Sequence, residues 1–405
     1  MKRTSLTVLV ILSSIILTSC DSIGLAKPTR TPTPRSATAT ATAFLPNDTP
    51  TPQPSATSTA TATPTPAYPD EGYGPTGFPD NINPLTGLAV ADPTILERRP
   101  ILIKVQNLPR SGRPQFGLSN ADIVFEYYSE QGTTRFAALY YGQDAEKVRP
   151  IRSGRLIDIN FMRAYKPVLI FGSASYQVYD RLINSEFGYR LVMEGTDTCP
   201  AICREQNSPA GYLISDTRAV ADLLTKRGID NERQNLDGML FKLEPPENGV
   251  AVEQFTVRFS GAIYNRWDYD ATTGKYLRFS DAANDLTDTN PVYEQLVDAG
   301  NKQPIAVNNV LMILTRHNDV DPRPEVEILE VNIQGTGTAY LARDGQLYQV
   351  KWQRLAESDV ITLVDDAGNL VPFKPGQTWV EVLTANTVYE QDGDNHKFTL
   401  ISDWK

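Results

Sequence analysis

The sequence predicts an α/β (or α+β) domain followed by a β-rich domain, with a disordered Thr/Pro/Ala tether at the N-terminus. Three observations carry this. Between Ile101 and Ile183, short strand-like runs alternate with helix-length segments, the order of an α/β unit. From about Val250 the pattern changes to short strands separated by turn residues such as Asp344-Gly345. Thr, Pro, Ala and Ser fill 32 of the 39 positions in residues 28–66. Such a segment cannot bury enough apolar surface to offset its ordering entropy. The expected boundaries are 1–19 for a leader, 20–79 for the linker, 80–248 for the α/β domain and 249–405 for the β-rich domain.

In the leader, Lys2 and Arg3 precede the apolar run from Leu6 to Leu17, and small residues then lead into Cys20. The run is too short to span a bilayer as a permanent helix. Leu17-Thr18-Ser19-Cys20 resembles the lipobox of bacterial lipoproteins. That resemblance implies a cleaved signal peptide, a lipidated Cys20 as the mature N-terminus, and attachment to the extracytoplasmic face of the cell membrane. Prolines bias the tether toward polyproline II, giving a reach of roughly 120 Å at about 3.1 Å per residue. It reads as a solvated spacer whose Thr and Ser residues are open to O-glycosylation.

Within the α/β part, Ile101–Val105 reads as a buried strand. Ala121–Tyr128 alternates and Arg135–Tyr141 is rich in β-formers, so the two predict a hairpin closed by Ser129–Thr134. A symmetric loop sets Tyr128 opposite Arg135 and Glu126 opposite Ala137. Glu126 and Arg135 would then be diagonal neighbours on one face, and a one-residue slip would separate them. A helix is predicted from about Leu156 to Tyr165, stopped by Pro167, then a strand at Val168–Phe171 and a helix near Tyr176–Ile183. Ser215-Asp216 caps a further helix that ends at Gly228. In the β-rich part, strands are predicted around Trp267–Tyr269, Lys275–Phe279, Ile305–Leu314, Ala339–Arg343, Gln346–Trp352 and Trp379–Leu383.

Three segments resemble the YerB-like family of bacterial lipoproteins. They are Arg113-Pro114-Gln115-Phe116-Gly117-Leu118-Ser119-Asn120-Ala121-Asp122-Ile123-Val124-Phe125-Glu126, Gly132-Thr133-Thr134-Arg135-Phe136 and Arg149-Pro150-Ile151-Arg152-Ser153-Gly154-Arg155. Val307-Asn308-Asn309-Val310, Gly335-Thr336-Gly337 and Pro375-Gly376-Gln377-Thr378-Trp379 are similar to the family's C-terminal part. The likeness spans roughly residues 82–385. It implies a two-part extracytoplasmic lipoprotein and assigns no reaction.

The net charge is −10. An acidic chain is a poor nucleic-acid binder, because phosphate neutralisation needs net positive surface. Apart from Cys20, the cysteines are Cys199 and Cys203. On an oxidising membrane face they are expected to form a disulfide, with two ordinary thiols as the alternative. No metal site is expected: zinc wants four N/S ligands, and the only histidines are the distant His317 and His396. His317, Asp319 and Asp321 read as a polar turn. No cofactor is expected, since neither a Gly-Lys-Ser/Thr phosphate loop nor a paired Gly-rich dinucleotide motif occurs.

The sharpest constellation is Arg135, Arg149, Arg152 and Arg155, the last three recurring every third residue up to a helix start. Guanidinium forks suit phosphate or carboxylate, and a helix N-terminus adds free N–H groups. The alternative is internal pairing with Asp122, Glu126, Glu130 and Asp158. Glu126 and Glu130 are the candidate catalytic acids, since glycoside hydrolysis needs two carboxyls about 5–10 Å apart; solvated or salt-bridged carboxylates are the alternative. Ser153 and Ser173 read as caps, and Trp267, Trp352 and Trp379 as core or rim. The favoured function is a non-catalytic module binding an anionic wall component or a partner protein, membrane-attached through lipid on Cys20. The alternative is a cell-wall enzyme, either a glycan hydrolase or a transferase of a phosphate-linked polymer.

Overall fold

Two hairpins show how local chemistry sets the architecture. In the computed structural model, which describes residues 68–206 and 210–404, Gln131-Gly132 and Asp344-Gly345 each form a two-residue turn with both residues at positive φ. This is the turn geometry that suits strand twist, and glycine adopts it without steric cost. The leader, Cys20 and the tether to residue 66 lie outside the described residues.

The first part supplies β1 (Ile101–Gln106), β2 (Ile123–Glu130), β3 (Thr133–Tyr140), α1 (Asp158–Ala164), β4 (Val168–Ile170), α2 (Tyr176–Ile183), β5 (Leu191–Val192) and α3 (Val220–Arg227). Strands β6 (Gln254–Arg258), β7 (Tyr264–Asp270), β8 (Lys275–Asp281), β9 (Tyr293–Gln295) and β10 (Asn309–Thr315) follow. Then come β11 (His317–Asp319), β12 (Leu329–Val331), β13 (Gly335–Arg343), β14 (Gln346–Arg354), β15 (Thr362–Val364), β16 (Thr378–Thr384), β17 (Val388–Asp392) and β18 (Asn395–Thr399). Asp216 caps the turn leading into α3 by accepting from the Arg218 N–H, and Gly228 closes that helix in the left-handed region.

The larger sheet runs β15-β14-β13-β10-β16-β2-β3-β1-β4-β5, and residues 250–251 add a short strand beside β14. β1, β4 and β5 are mutually parallel, and β16 lies parallel to both β2 and β10. The smaller sheet runs β9-β8-β7-β6-β18-β17. The described residues cluster as one unit, and the larger sheet takes strands from both sides of residue 248. Residues before 80 take part as well, since Tyr73 pairs with Phe241. No helix among the described residues is long and apolar enough to cross a membrane.

The larger sheet is buried on both faces. Leu102, Phe125, Tyr127 and Leu139 pack toward α1 and α2, with Phe125 stacked on Phe161 at 4.3 Å. Ile103, Val124, Phe136 and Ala138 pack toward α3 and the smaller sheet, represented by Val220, Phe255, Trp267 and Tyr276. Sandwiched in this way, the strands need no alternation of polar and apolar residues.

The β2–β3 register departs from the symmetric expectation. Glu130 pairs with Thr133 across the two-residue turn, but a bulge at Ser129 shifts the ladder, so Glu126 faces Phe136 and Tyr127 faces Arg135. One extra residue slips the pairing by one and sends every later side chain to the opposite face. Glu126 therefore points between the sheets, and Arg135 points toward the helices.

Candidate functional site

β4 leaves the sheet at Ile170 and continues as Phe171-Gly172-Ser173-Ala174-Ser175 into α2. The carboxyl ends of parallel strands are where open α/β sheets leave a crevice. The Arg152–Arg155 loop is laced onto this edge. Arg152 N–H donates to the Lys104 carbonyl at 2.9 Å, Gly172 N–H to the Arg152 carbonyl at 2.9 Å, and Gly154 N–H to the Ser173 carbonyl at 2.8 Å.

A recess of about 480 Å³ opens here. Glu130 at the hairpin tip, Ser153, Arg155, Ser173 and Gln177 line one side; Arg323, Glu325 and Glu327 line the other. The far wall is held in place. Glu327 accepts from the Tyr128 hydroxyl at 2.9 Å and from the Gln131 N–H, and Gln177 donates to Asp321 at 3.1 Å. The Ser153 and Ser173 hydroxyls hydrogen-bond each other at 2.9 Å. This corrects their reading as caps: Ser175 holds the N-cap position of α2, with no side-chain cap bond.

The arginines divide. Arg149 lies apart, its guanidinium 4.4 Å from the Phe116 ring centre and 3.7 Å from Glu205. Arg135 and Arg155 converge on one carboxylate: Glu130 Oε1 sits 3.5 Å from Arg135 and also pairs with Arg155. Each of these two guanidiniums keeps a buried Nε with no partner among the described residues. Burial, and then the neighbouring Arg155 charge, lower the Arg135 pKa, with Arg152 adding to the effect. Arg152 is partly exposed, and among the described residues its guanidinium makes no ion pair or hydrogen bond.

Beneath them sits a buried trio. Lys104 Nζ donates to Asp158 Oδ1 at 2.6 Å and contacts the Tyr127 hydroxyl, and Asp158 Oδ2 accepts from the Arg155 N–H at 2.7 Å. Burial pulls the Lys104 pKa down to about 8 despite the Asp158 charge. Lys104, Arg135 and Arg155 thus share two carboxylates, Asp158 and Glu130, with Arg152 close by and Glu325 and Glu327 across the recess. Like charges held together in a half-buried site favour an anion that brings compensating charge.

Two family models match the chain, described as the N-terminal and C-terminal domains of a protein of unknown function, DUF3048, over residues 85–230 and 255–380. The chain belongs to the YerB-like, DUF3048 family. The Bacillus subtilis (strain 168) protein named "Putative lipoprotein YerB" is 25% identical over 307 residues, covering 74% of this chain and 85% of that protein. The crystal structure of YerB from Bacillus subtilis superposes with a TM-score of 0.62 at 22% identity, over 75% of this chain and 96% of that one. It shares the fold.

In this DUF3048 chain the two acidic candidates part company. Glu126 is fully buried between the sheets and accepts from Arg278 through Oε2 at 2.5 Å and from Asn107 through Oε1 at 2.9 Å. Its parallel neighbour Glu381 accepts from the same Arg278 at 3.0 Å and from the Trp267 indole at 3.0 Å. Trp379 packs on the Arg278 guanidinium at 4.4 Å. Burial, and then the Glu126 charge, raise the Glu381 pKa to about 8. Glu126 is fully buried, so it and Glu130 do not form a paired-acid site; of the two, Glu130 reaches the recess.

The other candidates have structural places. Asp122 is buried and takes the Asn83 amide at 2.7 Å. Cys199 and Cys203 are joined by a disulfide. His317 is a buried strand residue bonded to the Thr315 carbonyl, while Asp319 and Asp321 order the turn that follows. Trp267, Trp352 and Trp379 are all core. Sequence reasoning missed Arg323, Glu325 and Glu327, which come from a β11–β12 excursion. The dense polar run from Asn318 to Glu330 inside a strand series was the available signal.

Proposed function

We propose that this chain is a lipid-anchored extracytoplasmic module that binds an anionic cell-envelope component, without catalysis, through Arg135, Arg152 and Arg155. The observation that carries the reading is the clustering of Arg135, Arg152 and Arg155, with Arg152 unpaired among the described residues beside two arginines that share Glu130. Guanidinium groups offer forked donors to phosphate or carboxylate. Leu17-Thr18-Ser19-Cys20 and the name of the Bacillus subtilis relative support the anchor. The chain's net charge of −10 opposes unspecific adhesion to polyanions, so attraction is confined to this patch.

The test is co-sedimentation of the full-length protein with purified cell walls, either intact or stripped of their anionic polymers. Binding to intact walls should fall as salt rises, fall several-fold with Arg152→Ala, and release no new reducing ends. Equal binding to stripped walls, or no effect of Arg152→Ala, refutes the reading.

A further inference from the structure

Arg149 stands outside the Glu130 cluster but at the centre of another. Its guanidinium lies 4.4 Å from the Phe116 ring centre and 5.4 Å from that of Tyr212. Two more cations gather on Phe116, Lys147 Nζ at 4.8 Å and Lys302 Nζ at 6.0 Å. Lys147 and Arg149 share the carboxylate of Glu205, while Lys302 is exposed and makes no side-chain ion pair among the described residues. Other acids close by are committed elsewhere. Asp298 is buried and accepts from the N–H groups of Gly117, Ser119 and Gly300, and Glu146 pairs with Arg218 at 3.1 Å. Arg149 also keeps a buried Nε with no hydrogen-bond partner among the described residues. The same stretch of chain leads to Arg152. Arg149 bridges Phe116, Ile151 bridges Val105, and Arg152 N–H donates to the Lys104 carbonyl, so the segment is extended. Val148 and Ile151 both turn into the core that faces α3 and the smaller sheet. Residues three apart therefore share a side here, and Arg149 and Arg152, each one residue further on, both stand away from that core.

We infer that Arg152 and the Phe116 cluster are two stations of one binding track, whose ligand is a linear polymer of repeating phosphate groups. The inference rests on the anion-binding reading and adds the class of ligand and its second contact. Three like charges held around one ring, with Glu205 as the carboxylate of two of them, favour an incoming anion. Phosphate fits the cluster better than carboxylate. A planar carboxylate is satisfied by one guanidinium fork, whereas phosphate oxygens face several directions and accept from ammonium point charges as well. The two stations lie three residues apart on extended chain, roughly 10 Å. A small anion fills one of them. A chain that reaches both makes its second contact at the high local concentration set by the first.

The experiment is titration calorimetry of the full-length protein in detergent with pyrophosphate, long-chain linear polyphosphate and polyglutamate. Polyphosphate carries the repeating charge with no sugar or base attached. Per chain it should bind at least about tenfold more tightly than pyrophosphate, and its affinity should fall more steeply with salt. Removing either station, by Arg152→Ala or by Lys147→Ala with Lys302→Glu, should bring polyphosphate down to the level of pyrophosphate. Where the paired change disturbs folding, Lys302→Glu alone should still weaken polyphosphate several-fold. Lys351→Ala, on β14 towards the other edge of the larger sheet, should change nothing. A loss with Arg152→Ala but none at the Phe116 cluster overturns the inference and leaves the anion site standing. A loss at the cluster but none with Arg152→Ala brings down the anion site and the inference with it. So does an equal loss with Lys351→Ala, which marks diffuse attraction, or no binding of either phosphate. Polyglutamate bound more tightly than polyphosphate, with the same dependence on both stations, overturns the inference in favour of an acidic polypeptide.

Discussion

Replacing Arg278 with Met tests how the two sheets are held together. The guanidinium is fully buried, bound to Glu126 at 2.5 Å and Glu381 at 3.0 Å, and packed among Trp379, Trp267 and Phe136 at 4.4, 5.2 and 5.6 Å. Met refills much of the volume but leaves two carboxyls facing each other in the core. Removing one member of a buried ion pair costs about 3–5 kcal/mol. Against a total stability of about 5–15 kcal/mol, that is a large fraction. Urea unfolding at pH 7, followed by circular dichroism and by the fluorescence of the adjacent tryptophans, should show the midpoint fall accordingly. A triple variant, Glu126→Gln, Arg278→Met and Glu381→Gln, should recover most of the loss, because no charge then remains to be solvated. An Arg278→Met protein within about 1 kcal/mol of the parent, or a triple variant no better than the single one, would refute the argument.

Two further outcomes follow. Glu381 has a folded pKa of about 8 against an ordinary 4.5, so its contribution is complete below pH 4.5 and is lost as pH rises through 8. Over that window the parent should lose up to about 1.4 kcal/mol per pH unit from this group. Unfolding curves of Glu381→Gln at pH 5, 6.5 and 8 should lack that slope. The Cys199–Cys203 disulfide closes a loop of five residues, and the chain-entropy model puts its removal by the double Ser variant at about 2 kcal/mol. Thermal unfolding measures this, and an unchanged midpoint would show that the bridge is not a stabilising element.

Much of the fold was legible because local chemistry and final structure agree. The apolar run at Ile101, the Pro167 stop, the Asp216 cap with its Gly228 terminus and the Asp344-Gly345 turn all act within a few residues of themselves. The strand order was not legible. Nothing near Ile123 says that β2 will lie beside β16, since that pairing is decided by burial of both strands between two layers. The candidate site divides along the same line. Its arginine motif and Glu130 are visible in sequence, whereas the bulge at Ser129, which turns Glu126 inward, has no local marker. The wall bearing Arg323 and Glu327 arrives from a distant excursion that reads only as polar chain.

The parallel contact of β2 with β16 has a consequence for how this protein can be made. Its partners lie roughly 250 residues apart, a separation that makes closure slow. Until Thr378–Thr384 arrives, one flank of Ile123–Tyr127 presents bare amides and carbonyls beside mostly apolar side chains, a template on which another unfinished copy can add. The larger sheet draws strands from both halves, whereas the smaller one lies wholly in the second. Chains cut short before Thr378 should therefore accumulate as aggregates, not as a free N-terminal piece, and a cell making this polypeptide must shield that flank until Thr378–Thr384, near its far end, has been added.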